Sequence, residues 1–364
     1  MSKILPVTYE GKLAYNIVFE QDFAKLLEHL ESLGYNKSNK ICIVSDSNVA
    51  EIYMNQLEIL FKNKFGKIIK FIFDAGESSK NLDVVGNLYE KLIINQFDRH
   101  DLLIALGGGV VGDLTGFSAA TYLRGIDFIQ IPTSLLSQVD SSIGGKTGVD
   151  FRQYKNMVGA FYQPKLVYMN LSVLNSLPKR QLYSGMGEII KHGCIKDAAY
   201  FQWLKTHMQE ILALQADAIE EMIYRSCNIK REVVERDPKE KGERALLNFG
   251  HTIGHAVEKL SNFSLYHGEC VAIGMAAAAY LSMQKGLITK ETLASIEQIT
   301  ERAGLPVRVS GLDAAAILLA TKNDKKMLAG QIKFVLLEDI GTAYVDLSLT
   351  DEDLMAGIQY ILSK

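Results

Sequence analysis

The sequence lacks the features that mark secreted, membrane-spanning and nucleic-acid-binding proteins. Its four cysteines, among 364 residues, have no CxxC spacing. Each lies in apolar or helical surroundings, so we expect buried, reduced thiols and not disulfides. The formal net charge of -3 at pH 7 is too small to indicate a nucleic-acid or membrane partner.

Long apolar runs and a signal pattern are missing as well. The longest apolar run, near Val271–Leu281, contains Gly274 and is too short to span a membrane as a helix. The opening residues MSKILPVTYEGK show no basic, apolar and small-residue order typical of a signal peptide. Because 48% of residues are hydrophobic and 22% charged, the composition is that of a globular protein. We therefore expect a cytoplasmic protein, and the length favours two domains.

Short apolar runs alternate with amphipathic segments in the first half. The predicted strands are Ile41–Ser45, Ile68–Phe73, Leu102–Leu106 and Phe128–Ile131, with helices at Val49–Phe61 and Leu82–Gln96. This alternation predicts βαβ units and a largely parallel, Rossmann-like sheet. The domain boundaries that we predict are 1–175 for an α/β nucleotide-binding domain and 176–364 for a mainly α-helical domain.

The second half is predicted to be helical except for one strand pair. The predicted helices are Arg180–Cys194, Ala198–Leu214, Ala216–Asp237, Asn248–Ser261, Gly268–Gln284 and Lys290–Ala303. Strands at Ile332–Leu336 and Ala343–Asp346, joined by a turn at Asp339–Gly341, interrupt this run.

A glycine cluster after a predicted strand is the first candidate binding motif. Gly107, Gly108 and Gly109 follow strand Leu102–Leu106 and precede a predicted helix. Such glycines let backbone N–H groups approach a pyrophosphate, and the helix dipole favours its charge. A tight turn without a ligand is the alternative.

Polar residues follow the neighbouring predicted strands at the positions where ligands gather in open α/β sheets. Asp46 is placed either to bind ribose hydroxyls or to cap the helix that follows, and its position favours neither. The other candidates after strands are Glu77, Lys80 and Thr133. Further along, a glycine-rich segment that carries Lys146 and Lys155 suits phosphate or carboxylate. A solvated loop is the alternative for that segment.

Three of the seven histidines fall in one short interval and predict a metal site. His251 and His255 lie four residues apart on one predicted helix, and His267 opens the next. Glu188, flanked by glycines, is the best candidate for a carboxylate ligand, and we place it near a helix start. One carboxylate and two histidines leave an open coordination position, as a catalytic zinc-type site requires. Spacing does not decide which two histidines bind the metal.

Cationic residues on the same segments indicate a substrate with both carboxylate and phosphate groups. They are Lys146, Lys191, Lys230, Arg244 and the pair Lys325-Lys326. The arginine guanidinium can form bidentate hydrogen bonds to a carboxylate, and lysine ammonium groups suit phosphate. Each of these residues, taken alone, is better explained as an ordinary surface residue.

Taken in order, these motifs resemble the 3-dehydroquinate synthase family of the shikimate pathway over nearly the whole chain. The matching segments are GGGVVGDLTGF, YLRGIDFIQIPTSLLSQVDSSIGGKTGVD, KNMVGAFYQP, SGMGEIIKHG, RALLNFGHTIGHA, YHGECVAIGM and NDKK. The resemblance implies an NAD-binding α/β domain followed by a mainly α-helical metal and substrate domain.

The resemblance also implies a role for each candidate residue. The metal, Zn²⁺ or Co²⁺, is implied to bind Glu188, His251 and His267. NAD is implied to contact Asp46, Glu77, Lys80, Gly108, Gly109, Val110, Asp113, Thr133, Ser134, Lys146 and Lys155. The implied substrate and catalytic residues are Asp140, Lys146, Asn156, Lys191, Lys230, Arg244, Asn248, His255 and Lys325, with Lys326 as an alternative to Lys325. Arg124 resembles a residue that reaches into the neighbouring subunit, which implies a homodimer.

The implied reaction converts 3-deoxy-D-arabino-heptulosonate 7-phosphate to 3-dehydroquinate and phosphate. It proceeds by transient oxidation at C5 by NAD, loss of phosphate, re-reduction and an aldol closure. Related sugar-phosphate cyclases act on substrates without a carboxylate, and the presence of Lys230, Arg244, Asn248 and His255 favours the carboxylated one. The alternatives are a metal-dependent polyol dehydrogenase, which would release NADH, and a non-catalytic NAD-binding sensor.

Overall fold

A computed structural model describes residues 3–152, 154–262, 264–322, 327–328 and 331–363, and the chain folds into two compact units, Met1–Leu177 and Pro178–Lys364. The strands of the first unit are β1 (Lys3–Tyr9), β2 (Lys12–Glu20), β3 (Lys40–Asp46), β4 (Lys67–Phe73), β5 (Leu102–Gly107), β6 (Asp127–Pro132), β7 (Lys146–Phe151), β8 (Tyr154–Phe161) and β9 (Leu166–Asn170). Its helices are α1 (Leu26–Ser32), α2 (Ser47–Phe61), α3 (Leu82–Ile94) and α4 (Gly109–Thr121).

The first unit is built on a mainly parallel sheet, which confirms the predicted Rossmann-like architecture. Among the described residues its strand order is β1-β2-β9-β6-β5-β3-β4, and only the β1–β2 pair is antiparallel. Successive residues of a strand face opposite sides of the sheet. Ile41 and Ile43 of β3 therefore join the core that includes α2, whereas Cys42 and Val44 join the core that includes α3 and α4. Helices cover both faces, so the central strands are apolar throughout.

The glycine-rich segment that contains Lys146 is not the solvated loop that the sequence allowed. Lys146 begins β7, and β7 pairs with β8 as an antiparallel hairpin. The pairing is close because Gly148 and Gly159 lie opposite each other, and a Cβ on Gly159 would come within 2.4 Å of the Thr147 carbonyl oxygen. Small residues obscured the strand signal there.

The second unit is mainly helical. Its helices are α5 (Lys179–Lys196), α6 (Ala198–Leu212), α7 (Ala216–Arg236), α8 (His251–Leu260), α9 (His267–Gln284), α10 (Lys290–Arg302), α11 (Ala314–Lys322) and α12 (Asp351–Ile361). Its strands are β10 (Met327–Leu328), β11 (Gln331–Ile332), β12 (Phe334–Asp339) and β13 (Thr342–Asp346). The predicted strand pair is confirmed as the antiparallel hairpin β12–β13.

Helix α9 is the buried centre of this unit. It contacts α5, α8, α10 and α12, and nearly every residue from Gly268 to Ser282 is buried. A helix that is apolar all round suits such a position. The contact with α5 is backbone to backbone, since a Cβ on Gly268 would lie 1.8 Å from the Ser184 carbonyl oxygen.

Two local predictions in this unit are wrong. Asn248 does not begin the histidine-bearing helix; it ends a 3₁₀ turn, Glu243–Asn248, and the helix begins at His251. The break occurs at Gly250, whose backbone is left-handed with φ of 79°. Glu188 lies in the middle of α5 and not near its start.

All four cysteines are free and buried, as predicted. In the described part of the chain, no helix combines the length and apolar character needed to cross a membrane.

Candidate functional site

The first candidate region is the edge of the sheet where β3, β5 and β6 end. From β3 the chain adds β4 on one side and then β5 on the other. This reversal creates a crevice between β3 and β5 at the carboxyl ends of the strands, the usual ligand position in such sheets. Asp46 ends β3, and Gly107 ends β5. The candidate residues Asp46 and Gly108 therefore flank the reversal point.

The glycine turn after β5 has the properties of an anion-binding helix start. Gly108 is the N-cap of α4 and adopts an extended backbone, and Gly109 is the first helical residue. Because Gly108 supplies no capping side chain, the N–H groups of the first turn depend on another acceptor or on solvent. A pyrophosphate fits this demand. Val110 lies in the same turn and is half-buried.

The polar candidates around this edge differ in their surroundings. Asp46 caps α2, and its Oδ1 accepts hydrogen bonds from the N–H groups of Asn48 at 2.9 Å and Val49 at 3.0 Å. The capping interpretation is therefore correct. The buried Thr133 donates its N–H to the Gly107 carbonyl at 3.0 Å, joining the ends of β5 and β6. Ser134 is half-buried, and Glu77 is exposed.

Lys80 is the centre of a buried polar network in this unit. Its ammonium lies 2.6 Å from Asp113 Oδ2 and donates a 2.6 Å hydrogen bond to Asn156 Oδ1. Burial alone would lower the pKa of Lys80, but the carboxylates of Asp113, Glu77 and Asp150 outweigh it and raise the pKa. The network ties the start of α3 to α4 and to hairpin β7–β8. Asp150, which sequence reasoning missed, accepts the Asn156 N–H at 2.7 Å.

The remaining candidates of the first unit lie on hairpin and turn segments. Lys146 begins β7 and is exposed, and Lys155 on β8 and Asp140 are half-buried. Arg124 is exposed and left-handed, with φ of 66°, at the end of a short 3₁₀ turn. A positive φ is uncommon for a non-glycine residue.

In the second unit, three helices bring a carboxylate and two imidazoles together. Glu188 Oε1 lies 3.5 Å from His251 Nε2 and 3.5 Å from His267 Nε2. The ligand atoms of the three residues lie within 4.8 Å of one another. His251 and His267 are the first residues of α8 and α9, whereas Glu188 is fully buried in α5.

These distances fit a divalent cation. Ligands about 2.0–2.1 Å from a zinc ion at tetrahedral angles lie about 3.3–3.4 Å apart. The two oxygen-to-nitrogen distances of 3.5 Å are close to that spacing. The imidazole and carboxylate donors suit zinc and related ions. A second group, His255, Glu258 and His267, also has its ligand atoms within 4.8 Å.

The charges around the three residues are tightly coupled. Lys191 forms a buried ion pair with Glu188 Oε2, so the two carboxylate oxygens have different partners. Burial alone would lower the pKa of His267, but hydrogen bonds and charges from Glu188 and Glu258 outweigh it and raise the pKa to about 9. A cation bound at His267 must therefore displace a proton, which makes binding dependent on pH.

A clamp between α5 and α9 fixes the two helices that carry Glu188 and His267. The Arg180 guanidinium donates to both carboxylate oxygens of Glu269 at 2.7 Å and lies over the Tyr266 ring, 4.2 Å from its centroid. The Gly268 N–H donates to Ser184 Oγ at 3.0 Å. Sequence reasoning missed this clamp because its partners are 89 and 84 residues apart.

The other polar candidates lie on α7 and on the segment after it. Lys230 and Arg244 are 5% and 3% exposed, a degree of burial that lysine and arginine side chains rarely reach unless they are paired. Asp237 organises this segment by accepting the N–H groups of Lys241, Gly242 and Arg244.

Those three hydrogen bonds outweigh the effect of burial and lower the pKa of Asp237. Glu240, also missed from the sequence, accepts a 2.9 Å hydrogen bond from Asn248 Nδ2. The Asp237-Pro238 dipeptide is a turn signal that could have identified the segment. Lys325 and Lys326 lie outside the described residues.

Solved structures with this fold are sugar phosphate cyclases, among others. A 2-deoxy-scyllo-inosose synthase with carbaglucose-6-phosphate, NAD⁺ and Co²⁺ aligns with a TM-score of 0.88 and 24% identity, over 98% of this chain and 99% of that one. A 2-epi-5-epi-valiolone synthase from Streptomyces hygroscopicus subsp. jinggangensis, with NAD⁺ and Zn²⁺ bound, aligns with a TM-score of 0.87 and 27% identity. The alignment covers 98% of this chain and 99% of that one. This protein therefore has the fold of the sugar phosphate cyclases.

Sequence comparisons identify the family within that class. Family models for the N-terminal and C-terminal parts of 3-dehydroquinate synthase match residues 70–184 and 185–327. The 3-dehydroquinate synthase of Acetivibrio thermocellus is 40% identical over 94% of both chains. That of Caldanaerobacter subterraneus subsp. tengcongensis is 46% identical over 88% of this chain and 90% of its own. This chain belongs to the 3-dehydroquinate synthase family.

Proposed function

We propose that this chain converts 3-deoxy-D-arabino-heptulosonate 7-phosphate to 3-dehydroquinate and phosphate, as a phosphate-eliminating lyase that depends on NAD and a divalent metal. The observation that carries the proposal is the convergence of Glu188, His251 and His267, in a chain of this family, at distances that suit one cation. The relatives named above are 3-dehydroquinate synthases. In the cell we place the reaction in the cytoplasm and in the shikimate pathway.

The proposal assigns residues 1–175 to NAD and residues 176–364 to the metal and the substrate. The turn at Gly108 and Gly109 suits the pyrophosphate, because the start of α4 offers N–H groups and a favourable dipole. Bound NAD supplies a reversible hydride acceptor. Asp46 already caps α2 through Oδ1, so a ribose contact would use the same carboxylate without disturbing the helix start.

The metal site follows from the same donors. Glu188, His251 and His267 would hold Zn²⁺ or Co²⁺, and a bound ion of this kind polarises a substrate oxygen. Lys191 forms a buried ion pair with Glu188 Oε2, and Oε1 of the same carboxylate lies toward the two imidazoles. A carboxylate that is fully buried needs such a partner.

The cations of the second unit suit the anionic ends of the substrate. Arg244 is held in place through its backbone N–H to Asp237 and through Nη1 to the Pro238 carbonyl at 2.7 Å. A guanidinium fixed in this way loses little freedom when it binds a carboxylate. Lys230 adds a buried ammonium, and Asn248 is oriented by Glu240.

His255 is the candidate for moving protons on and off substrate hydroxyl groups. Its ring centroid lies 5.1 Å from that of His251 and 5.8 Å from that of His267. Imidazole exchanges protons near neutral pH, which suits general acid–base work. We also propose that Arg124, exposed on its left-handed turn, contacts a second copy of the chain in a homodimer.

The test is an assay of phosphate and NADH together. The purified protein with zinc and catalytic NAD is incubated with the heptulosonate phosphate, and free phosphate and absorbance at 340 nm are recorded. We expect stoichiometric phosphate without lasting NADH. A seven-carbon sugar phosphate that lacks the carboxylate should be a poor substrate.

Variants of two histidines make the assay specific. His267→Asn should abolish phosphate release, whereas His207→Asn, on α6 and stacked on Trp203, should leave it unchanged. Lasting NADH with a polyol substrate would instead identify a dehydrogenase. Absence of both products would leave a binding protein and refute the proposal.

A further inference from the structure

Helix α8 presents three functional side chains along one face. His251, His255 and Glu258 are at positions i, i+4 and i+7, which lie on the same side of a helix. The first residue of α9, His267, packs against this face: its ring centroid lies 5.4 Å from that of His251 and 5.8 Å from that of His255. One side of the His267 ring is therefore packed against this face of α8.

The imidazole of His267 lies between two carboxylates. Its Nε2 lies 3.5 Å from Glu188 Oε1, and its Nδ1 lies 3.5 Å from Glu258 Oε2. The Glu258 side chain is only 12% exposed, although it carries an acid. Buried carboxylates are costly unless they interact with a donor or a charge.

When one ring nitrogen binds a cation, a carboxylate at the other nitrogen can hold the remaining proton there. A neutral imidazole has one N–H group and one lone pair. Glu188 and Glu258 are equally distant from the two ring nitrogens, so the tautomer depends on the cation. A cation bound on the Glu188 side would take the Nε2 lone pair, and Glu258 would then accept the proton that stays on Nδ1. Histidines that bind metals commonly donate their second N–H to a carboxylate, which fixes both tautomer and ring orientation.

We propose that Glu258 is a positioning residue that holds His267 through Nδ1, so that Nε2 faces the cation bound by Glu188 and His251. The inference rests on the metal site of the proposed function. The 3.5 Å contact is longer than a good hydrogen bond. Functional hydrogen bonds are often long before a site is loaded and shorten when the ligand binds.

A different role for Glu258 is that of a metal ligand. With His255 and His267 it forms the second group of ligand atoms within 4.8 Å. If that group bound its own ion through Nδ1 of His267, the protein would bind two ions per chain. The positioning role requires one ion per chain.

The experiment measures metal binding by the full chain in the absence of substrate. Zn²⁺ affinity and stoichiometry are determined by competition with a chromophoric chelator for the wild type, Glu258→Ala and Glu258→Gln, and the Co²⁺ form is followed by its visible spectrum. The control is Glu210→Gln, which removes a carboxylate 3.9 Å from His207 Nε2 on α6. Melting temperatures of the metal-free proteins monitor folding.

We expect Glu258→Ala to weaken zinc binding roughly 10- to 100-fold while one ion per chain still binds, and to change the Co²⁺ spectrum. Glu258→Gln should lose less, because its amide oxygen can still accept from Nδ1. The control should match the wild type. Unchanged affinity in both Glu258 variants, or a second zinc ion that is lost with Glu258, would overturn the proposal.

The outcome is separate from that of the proposed function. A protein that shows these affinity changes but releases no phosphate from the heptulosonate phosphate would keep Glu258 as a positioning residue and refute the reaction. Normal phosphate release with unchanged zinc affinity in the variants would refute only the role of Glu258.

Discussion

The substitution Gly268→Ala tests whether the close contact of α5 and α9 sets the metal site. Gly268 follows the candidate ligand His267, and its partner Ser184 is one helical turn before Glu188 on α5. An alanine Cβ would lie 1.8 Å from the Ser184 carbonyl oxygen, where ordinary contact begins at 3.4 Å. The two helices must therefore move apart locally by about 1.6 Å.

The consequence for metal binding can be estimated from this displacement. Metal–ligand distances tolerate a change of only about 0.2 Å, so Glu188 and His267 cannot both keep their bonds to one ion. We expect zinc affinity to fall by at least about 100-fold, more than the loss of an orienting partner costs. Overpacking should also lower the free energy of unfolding by about 1–3 kcal/mol.

The assay compares zinc retained after dialysis, measured by atomic absorption, with the thermal unfolding midpoint. Gly86→Ala is the matched control, because nothing lies within 4 Å of its new Cβ on α3 and it should gain about 0.5–1 kcal/mol of stability. Ser184→Ala is a milder test that removes only the hydrogen bond to the Gly268 N–H. A folded Gly268→Ala protein with full zinc content and wild-type affinity would refute the reasoning.

Three further predictions concern other parts of the chain. Arg244→Ala should cost on the order of 2–4 kcal/mol of transition-state stabilisation, which lowers kcat/KM for the heptulosonate phosphate about 30- to 900-fold. A loss below twofold would contradict a carboxylate partner. The pKa of Asp237 is lower in the folded protein than in the unfolded chain, where it is near 3.9. The ionised carboxylate therefore contributes its full stabilisation of the fold above the unfolded pKa, and this contribution is lost as the pH falls through the folded pKa. Urea unfolding should therefore show a constant difference between wild type and Asp237→Asn from pH 5 to 8 that shrinks below pH 4; a difference independent of pH would exclude this linkage. Burial raises the pKa of Cys42 to about 12, and the other three cysteines are buried too, so no thiol should react with a disulfide reagent until the protein is unfolded, when four should react.

Features with a strong local signal were predictable from the sequence. Strands such as Leu102–Gly107 are buried on both faces and therefore read as unbroken apolar runs. The glycine turn that follows combines a tight turn with a helix start. His267 was correctly placed at the opening of a helix.

Features set by tertiary contacts were not predictable in the same way. The partners of His267 are Glu188, which is 79 positions earlier in the chain, and Glu258, which carries no motif of its own. Hairpin β7–β8 contains small residues whose β-sheet propensity is low. Gly250 delays the start of the histidine-bearing helix to His251, although the helical pattern looked continuous from Asn248. In each case a packing partner or a backbone angle decided the outcome.

The most direct test of the account is anomalous diffraction at the zinc edge from crystals of the zinc-loaded protein. We predict one strong peak per chain, about 2.0–2.2 Å from Glu188 Oε1, His251 Nε2 and His267 Nε2, with an open position for solvent or substrate. A peak bound elsewhere, or an ion that contacts fewer than two of these three residues, would contradict the account.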